Sequence, residues 1–174
     1  TCAIRENAHR KIYGQLDLFL PIKKQRAKAR QPFIVGILGC MAQNLKDELL
    51  EHRAVDLVVG PDSYRALPDL IGNITKTRKP AVAAFLSEYE TYSDIAPVRQ
   101  EGVNAWIAIM RGCDNFCSFC VVPYTRGRER SRSMESILHE VRLLVEMGHP
   151  QVTLLGQNVN SYRCGDDDFA DLMA

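Results

Sequence analysis

Three cysteines of this chain fall within eight residues, at Cys113, Cys117 and Cys120, in the string RGCDNFCSFC. Their spacing is Cys-x3-Cys-x2-Cys. Three thiolates on one short loop can each ligate one iron of a [4Fe–4S] cube, which leaves the fourth iron without a protein ligand. An open iron can chelate the amino and carboxylate groups of S-adenosylmethionine. An electron from the cluster then breaks a carbon–sulfur bond and releases a 5′-deoxyadenosyl radical. The hard chemistry belongs to the cofactor, and the loop fixes where it happens. Phe119, just before the last cysteine, is placed to lie against the adenine.

Two blander readings compete. Zinc takes four ligands, usually as two close Cys or His pairs; no second close pair exists here, since His139 sits in a predicted helix and His149 beyond it. Cysteines can also be small buried apolar residues, but three at this spacing on a loop are a poor match to that. The full set is Cys2, Cys40, Cys113, Cys117, Cys120 and Cys164. Secreted disulfide scaffolds are usually shorter and denser in cysteine, so the tight triplet suits metal ligation in a reducing compartment. His9, His52, His139 and His149 form no constellation, and Cys164 reads as incidental.

The elements that must hold this loop are legible on both sides of it. Asn104–Met110 (NAWIAIM) reads as a strand, residues 111–132 as a long loop, and Ser133 as the cap of a helix over 134–147. Ile137, Leu138, Val141, Leu144 and Val145 form its apolar face. Gly148 and Pro150 stop it, and Gln151–Leu155 is the next strand, closed by Gly156. In such a βαβ unit ligands collect at the carboxyl ends of the strands, where both the cysteine loop and GQNVNSY (156–162) fall. Gln157 and Asn158 are candidates to bind the cofactor's polar groups, against simple loop polarity.

The preceding half alternates helix and strand, which predicts an α/β parallel sheet. Residues 3–19 are helical in pattern and 23–30 (KKQRAKAR) polar and basic. PFIVGILG (32–39) and Val55–Val59 read as buried strands, with a helix over 42–52 between them. Asp62 or Ser63 is expected to cap a helix running to about Ile71, and Ala81–Phe85 is a third strand. Residues 86–102 lack periodicity and read as a linker. The predicted organisation is a first domain over 1–101 and a second over 102–174. A chain of 174 residues has room for two small cores.

Charge narrows little. The net is +1, yet residues 1–30 hold eight Lys and Arg against Glu6 and Asp17, a local +6 that leaves −5 for the rest. A balance near zero does not argue for nucleic acid, although basic stretches can. The run 23–30 reads mainly as a solvated face. Arg126, Arg128, Arg130 and Arg132 alternate along 123–132, with Glu129 opposing them. Their guanidinium forks suit phosphates and stack on bases; the alternative is structural pairing near the cluster. No apolar run approaches the roughly 20 residues that span a bilayer.

IAIMRGCDNFCSFCVVPYTRGRERSR (107–132) resembles the motif of the radical-SAM methylthiotransferases. TCAIRENA (1–8) resembles their N-terminal domain, and GCMAQ (39–43) and LLGQNVNSY (154–162) match as well. These stretches run through nearly the whole chain. CDNFC, PYTRGRERSR and TCAIRENA together resemble the tRNA-acting kind, the MiaB type, which adds a methylthio group to C2 of N6-isopentenyladenosine beside the anticodon. Relatives acting on a ribosomal protein share the scaffold but vary the loop after the triplet.

The resemblance implies a parallel-sheet methylthiotransferase domain followed by the first βα units of a partial TIM barrel. It implies two [4Fe–4S] clusters, one on Cys113, Cys117 and Cys120, the other an auxiliary cluster on Cys2, Cys40 and a third cysteine upstream of Thr1. One S-adenosylmethionine would donate a methyl group to sulfur at the auxiliary cluster, and a second would supply the radical that abstracts hydrogen from the adenine. It also implies a tRNA substrate, an electron donor such as flavodoxin or ferredoxin, and a cytoplasmic setting. The chain starts at Thr1 and its end, Asp166–Asp168 before FADLMA, reads as a helix start without a helix. Truncation at both ends is therefore expected, and with it inactivity of this stretch alone. From another class, a metal-stapled nucleic-acid-binding module without catalysis is the competing reading.

Overall fold

The computed structural model describes residues 3–95, 97–99 and 102–174. The chain forms two compact units. One runs to Ser87 and takes in Tyr124–Arg126; the other holds Glu88–Pro123 and Gly127–Ala174.

The first unit opens with α1 (Glu6–Lys28), which continues past Pro21 and through the basic run rather than ending near residue 19. Lys, Arg, Gln and Ala are good helix formers. The extension is also anchored: Lys23 Nζ lies 2.6 Å from Asp56 Oδ1 and donates to the Ala54 carbonyl at 3.0 Å. Asp56 Oδ2 in turn accepts from the Val35 N–H at 3.0 Å. The run 23–30 is thus not wholly a solvated face. Leu16 is buried, and Ile12, Tyr13, Phe19 and Leu20 pack on the same core. Such packing is the usual source of helix stability in proteins.

The expected parallel sheet is present, with strands shorter than their apolar runs. β1 (Gly36–Leu38) leads to α2 (Cys40–Leu45), which passes into a 3-10 turn at Lys46–Glu51. The single helix expected over 42–52 breaks at Lys46, whose φ is +46°. β2 (Leu57–Val59) is followed by a 3-10 turn at Tyr64–Ala66 and then α3 (Leu67–Thr77). This helix begins later than the Asp62 or Ser63 cap predicts. Pro68 sits in its first turn, where a missing N–H costs nothing. It ends at Thr77 rather than Ile71, with Arg78 in the left-handed conformation. β3 (Ala81–Ala83) completes a sheet of order β1-β2-β3, all parallel, with Gly36 opposite Leu57 and Leu57 opposite Ala81. Val58 joins the core of Ile37, Met41 and Leu49, while Leu57 and Val59 join Ile74. Successive residues of a strand face opposite sides, so β2 is covered on both.

In the second unit β4 (Asn104–Ala108) and β5 (Met110–Arg111) replace the one strand expected over 104–110. The chain changes partner at Ile109, whose N–H donates to Leu155 and whose carbonyl accepts from Arg132. The expected long loop 111–132 also holds α4 (Val122–Arg126), entered on Pro123, and β6 (Arg130–Ser131), antiparallel to β5. α5 (Met134–Glu146) starts as predicted, with the Ser133 hydroxyl accepting from the Ser136 N–H. Ile137 and Leu144 are buried, but Val145, expected on that face, lies in the last turn and is 64% exposed. β7 (Gln151–Leu155) pairs in parallel with β4, from Asn104 opposite Gln151 to Ala108 opposite Leu155.

A 3-10 turn at Val159–Ser161 leads to the hairpin of β8 (Arg163–Cys164) and β9 (Asp167–Asp168). The acidic stretch does lead into a helix, the short α6 (Phe169–Met173). Asp168 and Asp171 cap it reciprocally, each side chain accepting from the other's backbone N–H. Backbone hydrogen bonds from Asp171 and Ala170 hold the Asp168 carboxyl below its usual range. No helix among the described residues is long and apolar enough to cross a membrane.

Candidate metal and cofactor site

Because β4 and β7 are parallel and end in register, the segments leaving them start at one edge of the sheet. The segment leading through β5 to the cysteine loop and residues 156–162 both follow from that edge, the arrangement expected for a ligand site.

Within the cysteine loop, the Cys113 N–H donates to the Gly127 carbonyl at 3.2 Å, and the Cys113 side chain is buried. The Cys120 N–H donates to the Cys117 carbonyl at 2.9 Å, closing a turn that holds those two cysteines together. Cys117 is exposed and Cys120 half-buried, and all three thiols are free. Asp114, inside the Cys-x3-Cys spacing, accepts from the Glu129 N–H at 3.0 Å and lies 2.9 Å from Arg128 Nε. The Arg128 guanidinium stands 5.4 Å over the ring of Phe116, whose φ is +45°.

Gly112 makes this folding-back possible. Its φ is +77°, and a Cβ there would lie 2.0 Å from the Arg128 carbonyl oxygen. Only glycine tolerates both the conformation and the contact.

The donor set suits an iron–sulfur cluster. It offers three soft thiols, none in a disulfide, on one loop that is tied down at its ends and exposed in its middle. Among the described residues no three His, Cys, Asp or Glu side chains could together hold a single metal ion. Phe119 is 90% exposed on this loop. Gln157 is exposed and Asn158 half-buried at the start of the other segment.

The four arginines separate. Arg128 keeps an exposed side chain beside Asp114, and Arg126 is half-buried at the end of α4. Arg130 is buried in β6. Arg132, also buried, is committed to structure: its Nη1 lies 2.6 Å from Glu140 Oε2 and donates to the Ala108 carbonyl, and its Nη2 donates to Ser136 Oγ at 2.8 Å. Glu140 also pairs with Arg99, so one carboxylate on α5 serves two arginines.

In the first unit, Cys40 begins α2 at the carboxyl end of β1 and is a half-buried free thiol. The sheet edge around it is tightly joined. Gly39 N–H donates to Val59, Gly60 N–H to Ala83, and Gln43 Nε2 to the Ala84 carbonyl at 3.2 Å. Gln43 is 4% exposed, and a Cβ on Gly60 would lie 2.1 Å from its Oε1. Cys2, the other expected auxiliary ligand, lies outside the described residues. Cys164 is a free thiol in β8.

Sequence reasoning missed Asp114, Glu129, Ser161 and Glu140 as ties around the site. The only available signal was Asp114 within the cysteine spacing and Glu129 as the lone acid among arginines.

Residues 107–173 match the radical SAM superfamily, and residues 1–60 match the Uncharacterized protein family UPF0004. The chain is 54% identical, over 94% of its length, to the tRNA-2-methylthio-N(6)-dimethylallyladenosine synthase of Phocaeicola vulgatus. Proteins of the same name from Chloroherpeton thalassium and Porphyromonas gingivalis are 54% and 49% identical over 93% and 100% of the chain. The chain spans 35%, 35% and 38% of the length of these three relatives.

Proposed function

From a chain that joins a UPF0004 region to a radical SAM region and is related to tRNA methylthiotransferases, we propose that it is part of an enzyme that methylthiolates tRNA. The target on this reading is C2 of N6-isopentenyladenosine near the anticodon. The observation that carries it is the set of three free thiols at Cys113, Cys117 and Cys120, on the loop that follows β4 and β5.

These cysteines would hold a [4Fe–4S] cluster with one open iron, which supplies reductive cleavage of S-adenosylmethionine to a carbon radical. An unactivated aromatic C–H is the reason such chemistry is needed. The chain's own residues bind and orient. Phe119 offers an exposed ring to the adenine, and Gln157 and Asn158 offer polar groups from the segment after β7. The Asp114 carboxylate keeps the loop folded back on residues 128–129. On this reading Arg126 and Arg128 contact tRNA phosphates, Arg128 from the more exposed position, while Arg130 and Arg132 support the fold.

On the same reading Cys40, with Cys2 and a cysteine elsewhere in the full protein, ligates an auxiliary cluster, and a second S-adenosylmethionine provides the methyl group. On that reading a methylthiotransferase domain precedes a radical SAM domain near residue 102, while the second compact unit already begins at Glu88. A flavodoxin or ferredoxin would deliver electrons in the cytoplasm.

The test is anaerobic reconstitution of the full-length protein with iron and sulfide, followed by assay on isopentenylated tRNA. The expected result is a brown protein that cleaves S-adenosylmethionine under reduction and yields methylthiolated tRNA, with cleavage lost in Cys117→Ser. A colourless protein with stoichiometric zinc, or no methylthio product on the tRNA, would refute the proposal.

A further inference from the structure

The segment after the triplet is bonded on two sides. Toward the cysteine loop, Gly127 accepts from Cys113, the Glu129 N–H donates to Asp114, and β6 pairs with β5, Arg130 opposite Arg111. Toward the segment after β7, the Ser161 hydroxyl lies 2.6 Å from Glu129 Oε2, the Tyr162 hydroxyl donates to the Arg132 carbonyl at 2.8 Å, and the Arg163 N–H donates to Ser131 Oγ at 3.2 Å. Every residue from Gly127 to Arg132 except Arg128 therefore meets one loop or the other through a contact named here, and Arg128 pairs with Asp114 of the cysteine loop.

We propose that Gly127–Arg132 is a strap that sets the cysteine loop and the 156–162 segment in one geometry, with Glu129 as a positioning residue for the S-adenosylmethionine bound between them. This rests on the reading above that the two loops share that ligand. Glu129 reaches both sides at once, its backbone to Asp114 and its carboxylate to Ser161. Hydrogen bonds to an ionised acceptor are the stronger kind. Ser161 Oγ is also 2.8 Å from the Asn158 carbonyl. A hydroxyl has one proton, so the Glu129 carboxylate decides how much of it Asn158 receives. Glu129 thereby sets the turn that presents Asn158 without touching the ligand. The close approach at Gly112 keeps the strap against the cysteine loop.

The experiment compares full-length, cluster-loaded Glu129→Ala, Ser161→Ala, the double variant and Glu129→Gln with the unmodified protein. It reads iron content, S-adenosylmethionine affinity by equilibrium dialysis, and the change in the reduced cluster's electron paramagnetic resonance on adding S-adenosylmethionine. Either alanine variant is expected to keep its iron and weaken affinity roughly tenfold, the equivalent of one charge-assisted hydrogen bond. The double variant should be no weaker than either single one, and Glu129→Gln, which still accepts from Ser161, should stay within about threefold of the unmodified protein. Unchanged affinity and spectrum in Glu129→Ala, or additive losses in the double variant, overturn the strap while leaving the cluster reading intact. If the unmodified, iron-loaded protein does not bind S-adenosylmethionine, the underlying reading fails and the strap with it. For a variant that fails to load iron, hydrogen exchange on the cluster-free protein decides. Ser161→Ala should speed exchange at 111–117 as well as at 157–163, and a rise confined to 157–163 refutes the strap.

Discussion

The Tyr162 hydroxyl donates a hydrogen bond to the backbone carbonyl of Arg132 at 2.8 Å, from a side chain that is 1% exposed. Burial raises its pKa above the ordinary 10.0; Cys164 and Asp167 push the same way and Arg132 opposes them. The unfolded chain therefore releases this proton first, so the folded state loses support as pH rises through 10. Tyr162→Phe is expected to cost about 1 kcal/mol near pH 7. That deficit should shrink above pH 10, since the variant has no phenol to ionise. Urea unfolding of both proteins at the two pH values checks this; a constant difference would count against it.

Glu140 answers for two arginines. Its carboxylate pairs with Arg99 and Arg132, whose side chains are 13% and 8% exposed. Removing one member of a buried charged set leaves the others desolvated and unpaired. Glu140→Ala should destabilise by about 3 kcal/mol, and Glu140→Gln by less, because one acceptor oxygen remains. Equilibrium unfolding gives both values, and a loss under about 1 kcal/mol for the alanine variant would show that solvent takes over the pairing.

The two kinds of information in the sequence fared differently. The parallel strands, the Ser133 cap and the position of β7 were legible because β-branched apolar runs sit between Gly and Pro stops. The end of α1 was not, since the basic run 23–30 read as a solvated face, whereas Lys23 finds Asp56 just before β2. Neither was the break at Ile109, because NAWIAIM is one apolar run and the change of partner is decided by Arg132 and Leu155. The cysteine triplet announces itself by residue type and spacing. Its ties do not: Glu129 meets Asp114 across 15 residues and Ser161 across 32, separations that no local pattern encodes.

Ser133 is a simpler case. Its hydroxyl accepts from the Ser136 N–H at the start of α5. Ser133→Ala should cost about 1 kcal/mol, and Ser133→Asp, which keeps an acceptor, should restore most of it. Melting temperatures of the three proteins rank them; a variant pair of equal stability would mean that another group satisfies the first turn.

Gly112→Ala tests the fold-back of the cysteine loop. The added carbon meets the Arg128 carbonyl oxygen at 2.0 Å on a backbone with φ of +77°. Strain of this kind is expected to cost upwards of about 2 kcal/mol. It should also free the 126–130 stretch, so limited trypsin digestion after Arg126 or Arg128 should speed up well before global unfolding. Unaltered digestion and stability would mean that the strap is not pressed on Gly112.

At the sheet edge of the first unit, the Gln43 amide occupies the space that a side chain at position 60 would need, 2.1 Å from its first carbon. This makes the two positions one choice rather than two. An alanine at 60 would turn the Gln43 amide aside and cost its hydrogen bond to the Ala84 carbonyl, a cost that a shorter residue at 43 would not carry.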